Sequence, residues 1–341
     1  MSDLIKENWF VVVIAVLILC GVVYFVQDTT KDNISAKHEN GQDVVATLKK
    51  DAITADALYE QATPFDAPLL YNMYKKAIIE ESVPTTKDLK NEAKSMEQII
   101  ESNLKAQAGE NYKVVISAEL ATYGFNGYED LNEYCLSHAK QKKMNQKFVT
   151  KHFDEYKDGV NAFSPRSISL IKVDIDQGGQ ISEAEQKKMD SIDEALKTDS
   201  FAKTATAFSE DPATSSNKGV FGYVDLTDSF QTTGLDASLL QKALELKENE
   251  TSEWIQVIDQ NTQMTSFYKI HVDTTDLKEI LNSKDPMIQD RVVAAFLQAN
   301  SDLEMLIIED AAKKLDIQFQ DKEAQEKVES YIQLMKGETS K

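Results

Sequence analysis

The chain has 341 residues, a formal net charge of -20 at pH 7, and only 12 Gly, 6 Pro and 2 Cys. This length predicts two folding units with appendages, and the few Gly and Pro predict mostly regular, helix-rich structure. The acidic balance excludes nucleic acid as a partner, because phosphate binding needs a basic surface, and two cysteines are too few for a disulfide scaffold.

The first feature in chain order is an apolar stretch without a charged residue between Glu7 and Asp28. At roughly 1.5 Å per residue, a helix of this length crosses a hydrocarbon layer of about 30 Å. We therefore predict a transmembrane helix over residues 9–27. A cleaved secretory signal and a lipoprotein signal ending at Cys20 are the alternatives. The valine-rich run continues past Cys20 and has no small residue just before it, which favours an uncleaved anchor.

A polar tether at residues 28–43 leads into a region whose apolar spacing is mostly helical. The predicted elements there are a short strand at 44–48, a helix over 55–61 that Thr54 caps and Pro64 ends, and helices over 66–81, 86–108, 115–123 and 128–156. The end of the chain is helical again. Pro286 begins a predicted helix that continues to residue 315, and a last helix starts at Asp321.

The stretch between these helical regions has a different character. Phe201, Ala205 and Phe208 lie at helical spacing and predict a helix, and Gly219 and Gly222 indicate a short strand after it. The helix from Phe201 ends at a polar run, where Asp211-Pro212 imposes an extended or turn geometry.

This succession of helix, polar loop and glycine-punctuated strand resembles a parvulin-type (PpiC) peptidyl-prolyl isomerase domain. The resemblance extends to both sides: residues 166–173 are similar to the first strand of the family, 182–197 to the helix that follows it, 235–250 to the next helix and its turn, and 267–272 to the closing strand. The preceding GYEDLNEYCLSHAKQKK and KHFDEYK stretches are similar to the region before the isomerase domain of PrsA, SurA and PpiD foldases. The C-terminal helices are similar to those of PrsA, which fold back on the N-terminal helices.

The resemblance implies an α+β fold with an N-terminal membrane helix. A discontinuous helical chaperone-like domain is formed by residues 44–163 and 275–341, and a parvulin-like domain at 164–274 is inserted in it. That domain consists of a small antiparallel sheet with surrounding helices. The resemblance also places residues 1–8 in the cytoplasm and the bulk of the chain outside it, at a cell membrane.

Parvulins are described as using two facing histidines, an Asp or Cys, and a Met/Phe pocket. Asp211 occupies the acid position, whereas Ser169 and Tyr268 stand where the two histidines are expected. The resemblance makes these three the predicted catalytic residues.

The resemblance also identifies the candidate substrate-binding residues. Leu239 stands at the pocket Phe position, and Phe230 is the nearest candidate for the Met in a loop longer than that of the family. Phe221, between the two glycines, completes the predicted pocket.

Isomerising an X-Pro bond means crossing a barrier of roughly 20 kcal/mol by twisting the amide. An apolar slot, partial desolvation and hydrogen bonds to the twisted amide can lower it. The absence of both histidines favours weak or lost activity, and substitute hydrogen bonds from Ser169 and Tyr268 are the alternative. Asp211 also suits a purely structural turn, and Ser169 and Tyr268 could share a hydrogen bond in the core.

No metal site and no cofactor is predicted, because no phosphate loop, zinc motif or activated nucleophile is recognisable. The histidines are predicted to be solvated surface residues: His38, His138, His152 and His271. His271 should point away from the sheet face that carries Tyr268, because side chains alternate along a strand.

The leading hypothesis is a membrane-anchored extracytoplasmic foldase that assists secreted proteins, with an isomerase domain of weak or lost activity. Its predicted partners are unfolded or secreted polypeptides and the lipid bilayer through residues 9–27, and a homodimer with a second copy is left open. The alternative is a non-catalytic structural or interaction subunit of a membrane translocation or envelope complex.

Overall fold

The computed structural model describes residues 37–39, 42–48, 51–175, 180–259, 262–315, 317 and 319–336, with side chains described from residue 67 onward. The predicted tail at 1–8, the membrane helix at 9–27 and the first part of the tether lie outside these residues. Within the described part, no helix combines the length and the apolar character that a membrane crossing requires.

The described chain is an α+β structure with two antiparallel sheets. The strands are β1 (Lys37–Glu39), β2 (Gln42–Leu48), β3 (Asp51–Thr54), β4 (Arg166–Ile175), β5 (Val220–Val224), β6 (Ile255–Ile258) and β7 (Thr265–Thr274). The α-helices are α1 (Ala55–Ser82), α2 (Lys87–Ala108), α3 (Tyr112–Thr122), α4 (Leu131–Lys151), α5 (Phe153–Asn161), α6 (Glu183–Ala195), α7 (Phe201–Phe208), α8 (Phe230–Thr233), α9 (Ala237–Glu245), α10 (Leu277–Leu281), α11 (Pro286–Ala299), α12 (Leu303–Ala312) and α13 (Lys322–Met335).

Internal contacts divide the chain into two compact units. The first contains the described residues up to Met144 together with those from Ile308 onward, and the second is Asn145–Ile307. The second unit is wider than the predicted 164–274 domain, since a helix that precedes the sheet in the chain, α5, packs on a helix that follows it, α11. The Phe153 and Phe296 rings lie 5.9 Å apart, for example.

Side-chain caps explain where many of the helices begin. Thr86 accepts a hydrogen bond from the Leu89 amide at the start of α2. Ser182 and Glu185 form a reciprocal capping box at α6. The carboxylate of Asp285 caps α11, whose first residue, Pro286, has no amide hydrogen to satisfy. Each such cap satisfies backbone donors that have no partner within the helix, so these starts were predictable to within a residue or two.

In the first half of the chain, one predicted helix end and one predicted continuous helix are wrong. The predicted end at Pro64 does not occur, since α1 continues to Ser82. A proline removes one hydrogen bond from a helix but need not end it when the flanking residues support the helix. The predicted helix at 128–156 is interrupted at His152, whose φ of -106° and ψ of 22° leave the helical region.

The predicted continuous helix at 286–315 is also wrong, because it is divided into α11 and α12. Asn300 separates them with a non-helical φ of -133° and ψ of 89°. Its side-chain amide donates to the Phe296 carbonyl at 2.9 Å. This local bond competes with the helical ladder, as short polar side chains commonly do.

The first unit has an apolar core where α2, α3 and α4 meet. Its fully or nearly fully buried members are Ala93, Ile116, Leu120, Phe125, Leu131 and Cys135. Burial raises the pKa of the Cys135 thiol to about 11, so this cysteine behaves as a small apolar side chain.

The second unit is built on a four-stranded antiparallel sheet with the order β5-β4-β7-β6. The two predicted strands at its centre lie side by side, and the Cα partners run from Ser167 with Thr274 to Ile175 with Thr265. The predicted antiparallel pairing is therefore confirmed. The short edge strand β6 was not predicted.

Each face of this sheet has its own apolar core. Ile168, Leu170, Ile270 and Val272 pack with Leu239 and other residues of α9 on one face. The opposite face has a core with α6 and α7, formed by Ile171, Val173, Ile175, Met189, Ile192, Phe201 and Ala205. Side-chain alternation along β4 and β7 thus decides which helices each residue meets.

Two β-bulges flank the same point of β4. Phe221 is the extra residue where Ile168 and Ser169 pair with Gly222 and Val220 of β5. On β7, an extra residue lies between the partners of Ser167 and Ile168. This extra residue is Asp273. Bulges change the direction of individual side chains and are common next to functional sites.

Candidate functional site

Tyr268 lies near the middle of the sheet, on β7, where its Cα partner in β4 is Lys172. The Tyr268 side chain is half-buried and packs on the core beneath α9. Phe221 is half-buried against the same core, and Leu239 is 2% exposed within it. We call Tyr268, Phe221 and Leu239 the Tyr268 cluster. All three residues share one apolar core, which contains Leu239 and against which Tyr268 and Phe221 pack.

Helix α9 places Leu239 in this cluster. The Asp236 carboxylate caps the helix by accepting hydrogen bonds from the Ser238 amide and hydroxyl at 2.8 and 2.5 Å. Leu239, Leu240 and Ala243 then form the buried stripe of α9, with the spacing of an amphipathic helix.

Asp211 lies in the loop that follows α7. This loop is attached to β4, because the Lys172 amide donates to Ser209 Oγ at 3.1 Å and the Lys172 carbonyl accepts from the Glu210 amide at 2.9 Å. The Asp211 carboxylate accepts hydrogen bonds from the Ala213 amide and the Thr214 hydroxyl, at 3.2 and 2.7 Å. Its described bonds therefore stabilise the turn at Pro212.

The hydroxyl of Tyr268 is in a charged but partly desolvated environment. Burial raises the pKa of Tyr268, the charge of Lys172 opposes this rise, and the carboxylates of Asp211, Asp174 and Asp236 add to it. The phenol is therefore neutral at physiological pH and available as a hydrogen-bond donor or acceptor.

Ser169 does not pack on the core that carries Tyr268, so the structure does not bring these two predicted catalytic residues together. Side-chain alternation puts it on the opposite face of the sheet, where its hydroxyl donates to the Asp273 carboxylate at 2.9 and 3.1 Å. The predicted hydrogen bond that Ser169 and Tyr268 could share is thus replaced by a bond to Asp273. The register, which no motif in the sequence specifies, pairs Ser169 with His271 and therefore puts Ser169 on the face opposite Tyr268.

Asp273 is largely desolvated, and burial raises its pKa to about 6 although the Ser169 hydrogen bond acts in the opposite direction. Nothing in the sequence pattern singled out this acid. A carboxyl group with a strongly shifted pKa is a common feature of functional sites, but structural networks produce such shifts too.

Phe230 is separate from the predicted pocket. It begins the four-residue helix α8, is 59% exposed and is not among the residues packed on the Tyr268 core. The loop that carries it is attached to α11, since Arg291 forms an ion pair with Asp228 and donates to the Thr232 carbonyl at 3.3 Å.

The histidines have mixed outcomes. His138 is exposed as predicted. His271 lies on the face opposite Tyr268, as predicted, but it is half-buried rather than solvated. Its ring stacks on Phe201 at 5.0 Å and its Nδ1 lies 2.9 Å from Thr251 Oγ1. Burial lowers the pKa of His271, which is therefore neutral at physiological pH.

His152 is also partly buried, with its ring stacked on Phe148 at 4.3 Å, and the side chain of His38 lies outside the described part. Among the described residues, no group of three or more His, Cys, Asp or Glu side chains could hold a metal ion.

A surface depression lies along α7, and none of the predicted site residues lines it. It is lined by Ser200, Ala202, Lys203, Thr206, Ala207 and Lys218. The Tyr268 cluster is therefore the stronger candidate site, because it combines an apolar floor with a polar hydroxyl.

Comparison with known proteins gives one family match. Residues 170–262 match the family model described as "Rotamase: PPIC-type PPIASE domain". No curated protein matches the chain.

Several solved structures are similar at low identity. The match to PrsA from Bacillus subtilis has 17% sequence identity and a TM-score of 0.44, and it covers 84% of this chain and 98% of that chain. The foldase protein PrsA from Streptococcus pneumoniae has 19% identity, coverages of 84% and 99%, and a TM-score of 0.36. One of two SurA-like chaperones from Campylobacter jejuni has 14% identity, coverages of 81% and 100%, and a TM-score of 0.20.

The matched segment includes most of β4, the Asp211 loop, α9 and β6. It ends just before β7, whose pairing with β4 adds Tyr268. The chain therefore contains a parvulin-type rotamase domain of the PPIC family over residues 170–262.

Proposed function

We propose that this chain is a foldase whose rotamase domain binds proline-containing segments of unfolded polypeptides at the Tyr268 cluster and isomerises them weakly. One observation carries the proposal. Tyr268 is half-buried and packs on the apolar core that contains Leu239 and supports Phe221, and it stands at the position where a parvulin histidine is expected.

The chemistry required is modest, because no covalent bond is broken. An apolar floor favours the proline ring over water, and one hydrogen bond from the Tyr268 hydroxyl can stabilise the carbonyl of the twisted amide. Asp211 supports the reaction indirectly, by holding its loop beside Lys172. Weak activity is expected, since only one side chain is left to act on the amide.

The experiment is a proline-peptide isomerisation assay on the wild type, Tyr268→Phe and Asp211→Ala. We expect slight acceleration by the wild type and about tenfold less acceleration by Tyr268→Phe, which keeps the ring but loses the hydroxyl. Asp211→Ala should have a smaller effect. A wild-type rate equal to the uncatalysed rate would eliminate the catalytic part of the proposal.

The finer features rest on the sequence pattern and on the resemblance to foldases. They are an anchor at residues 9–27, an extracytoplasmic bulk and a helical domain from 44–163 and 275–341 that cradles clients around an inserted 164–274 domain. A homodimer is one form that this foldase could take. Membrane fractionation of the full chain tests the anchor, and recovery in the soluble fraction would contradict it.

A second candidate function is a non-catalytic interaction subunit of a membrane complex. It is favoured by two hydrogen bonds within the chain, from Ser169 to Asp273 and from Thr214 to Asp211. Of the three predicted catalytic residues, Tyr268 is then the one left to act on a peptide. A foldase should suppress aggregation of unrelated unfolded proteins. A dedicated subunit should instead co-purify with one partner and leave aggregation unchanged.

A further inference from the structure

Lys172 joins the two parts of the candidate site. Its backbone fixes the Asp211 loop through the bonds to Ser209 and Glu210. Its side chain extends over the same face of the sheet as Tyr268, because the two residues are direct partners in adjacent strands. Paired residues in an antiparallel sheet share a face and have neighbouring side chains.

The position of the Lys172 ammonium group is fixed by the carboxylate of Asp174. Its Nζ lies 2.8 Å from Asp174 Oδ1, and the same oxygen accepts a hydrogen bond from the Ser266 hydroxyl at 2.7 Å. The Lys172 and Asp174 side chains are 20% and 36% exposed. A charge held in this way beside an apolar core is screened less than a charge in open solvent.

A fixed cation near a phenol has a directional effect. The phenol oxygen carries the negative end of the hydroxyl dipole, so the lower-energy orientation places the oxygen toward the ammonium group and the proton away from it. The same charge lowers the pKa of Tyr268 against the rise caused by burial. Both effects make the hydroxyl a better donor to a third group.

We infer that Lys172 is a positioning residue of this site: its ammonium group orients the Tyr268 hydroxyl to donate a hydrogen bond to the carbonyl of a bound proline-containing peptide. The inference rests on the proposed function and deepens it. Lys172 itself does not need to touch the peptide.

The test measures the ionisation of position 268 directly in the full chain. 3-Nitrotyrosine, which titrates near neutral pH and absorbs visible light when ionised, replaces Tyr268 in otherwise wild-type protein and in Lys172→Met, Lys172→Arg and Lys188→Met backgrounds. Lys188 is the matched control, because it pairs with Glu210 of the same loop and its side chain is 30% exposed.

We expect the nitrophenol midpoint to move to higher pH in Lys172→Met and to stay at the wild-type value in Lys172→Arg and Lys188→Met. With the natural Tyr268, Lys172→Met should bind a proline peptide about fivefold more weakly than Lys172→Arg, the effect of one hydrogen bond.

An unchanged midpoint in Lys172→Met overturns the inference, as does an equal shift in Lys188→Met. Failure of the proposed function has a different signature. In that case neither the wild type nor any variant binds the peptide, while the nitrophenol titration still reports whether Lys172 acts on position 268.

Discussion

The Asp273 carboxylate shows how a single residue can stabilise or destabilise this fold according to pH. Among the described residues, its hydrogen-bond partner is the Ser169 hydroxyl, which lies within reach of both carboxylate oxygens but has only one proton to donate. The second oxygen is therefore poorly compensated. A desolvated, incompletely paired charge opposes folding whenever the group is ionised.

The pH dependence follows from the pKa of about 6 in the folded state, against 3.8 for an unperturbed aspartate. Because the folded pKa is the higher one, the stabilising effect of proton binding is complete below the unfolded pKa. It is lost as the pH rises through the folded pKa. The affected window runs from about pH 4 to about pH 6.

We predict that Asp273→Asn is close to the wild type in unfolding free energy at pH 4 and about 2 to 3 kcal/mol more stable at pH 7. Asparagine keeps the shape of the protonated acid without its charge. Urea denaturation followed by the fluorescence of Trp254 measures the difference, in which other titrations cancel. The same stability difference at both pH values would contradict the account.

The sequence identified some of the residues of the candidate site and missed others. It identified Tyr268, Leu239 and Phe221, which belong to or pack on one apolar core, since each followed from its place in a recognisable element. It did not place Ser169, because the face on which Ser169 lies depends on the register that pairs it with His271. Lys172 and Asp273 were missed because their significance depends on burial and register rather than on a motif.

At the scale of elements, the connection from α7 to β5 depends on a close backbone approach. Gly219 has a φ of +84°, and a Cβ atom there would lie 2.7 Å from Ala205 Cβ and 2.9 Å from the Leu170 carbonyl oxygen. Its own carbonyl accepts from the Leu170 amide at 2.7 Å. Both the left-handed conformation and the lack of space require glycine at this position.

We predict that Gly219→Ala lowers the free energy of unfolding by about 3 kcal/mol, through backbone strain and a clash that cannot be relieved by a side-chain rotation. Gly234→Ala is the matched control in the same unit. It has a φ of +73° and no atom within 4 Å of the added Cβ, so about 1 kcal/mol is expected. Equal losses in chemical denaturation would refute the role of close packing.

Long elements with clear caps and alternation were predictable, and short or interrupted ones were not. The strands β4 and β7 were identified nearly at their observed ends, because each is rich in β-branched and aromatic residues. β6 has only four residues, with two of them exposed, which is too little for a period to emerge. The interruptions at His152 and Asn300 depend on local contacts that helix propensity does not encode.

At the scale of the whole molecule, the extent of the rotamase-containing unit is a testable quantity. The contact-defined unit, Asn145–Ile307, includes α5 and α11. Phe296 of α11 is 0% exposed, as is Val160 of α5. A fragment of residues 164–274 would lack both helices and expose the surfaces that they cover.

We predict that a fragment of residues 145–307 unfolds cooperatively and is more stable than one of residues 164–274 by at least about 3 kcal/mol, the usual effect of removing large buried apolar side chains. Thermal unfolding followed by circular dichroism compares the two. Identical midpoints would mean that α5 and α11 add nothing to the stability of the sheet.

Length and net charge limit the possible functions of the chain only in broad terms. A net charge of -20 and a helical majority restricted the class of partner, and they did not distinguish a foldase from an interaction subunit. That distinction depends on whether the Tyr268 cluster binds a proline-containing peptide.

The most direct measurement is therefore NMR mapping of a proline-containing peptide on the full chain, using leucine methyl and aromatic resonances. We expect perturbations centred on Tyr268, Phe221 and Leu239, with loss of affinity in Tyr268→Phe. Perturbations confined to the depression beside Lys203 and Lys218, or none at saturating peptide, would contradict this expectation.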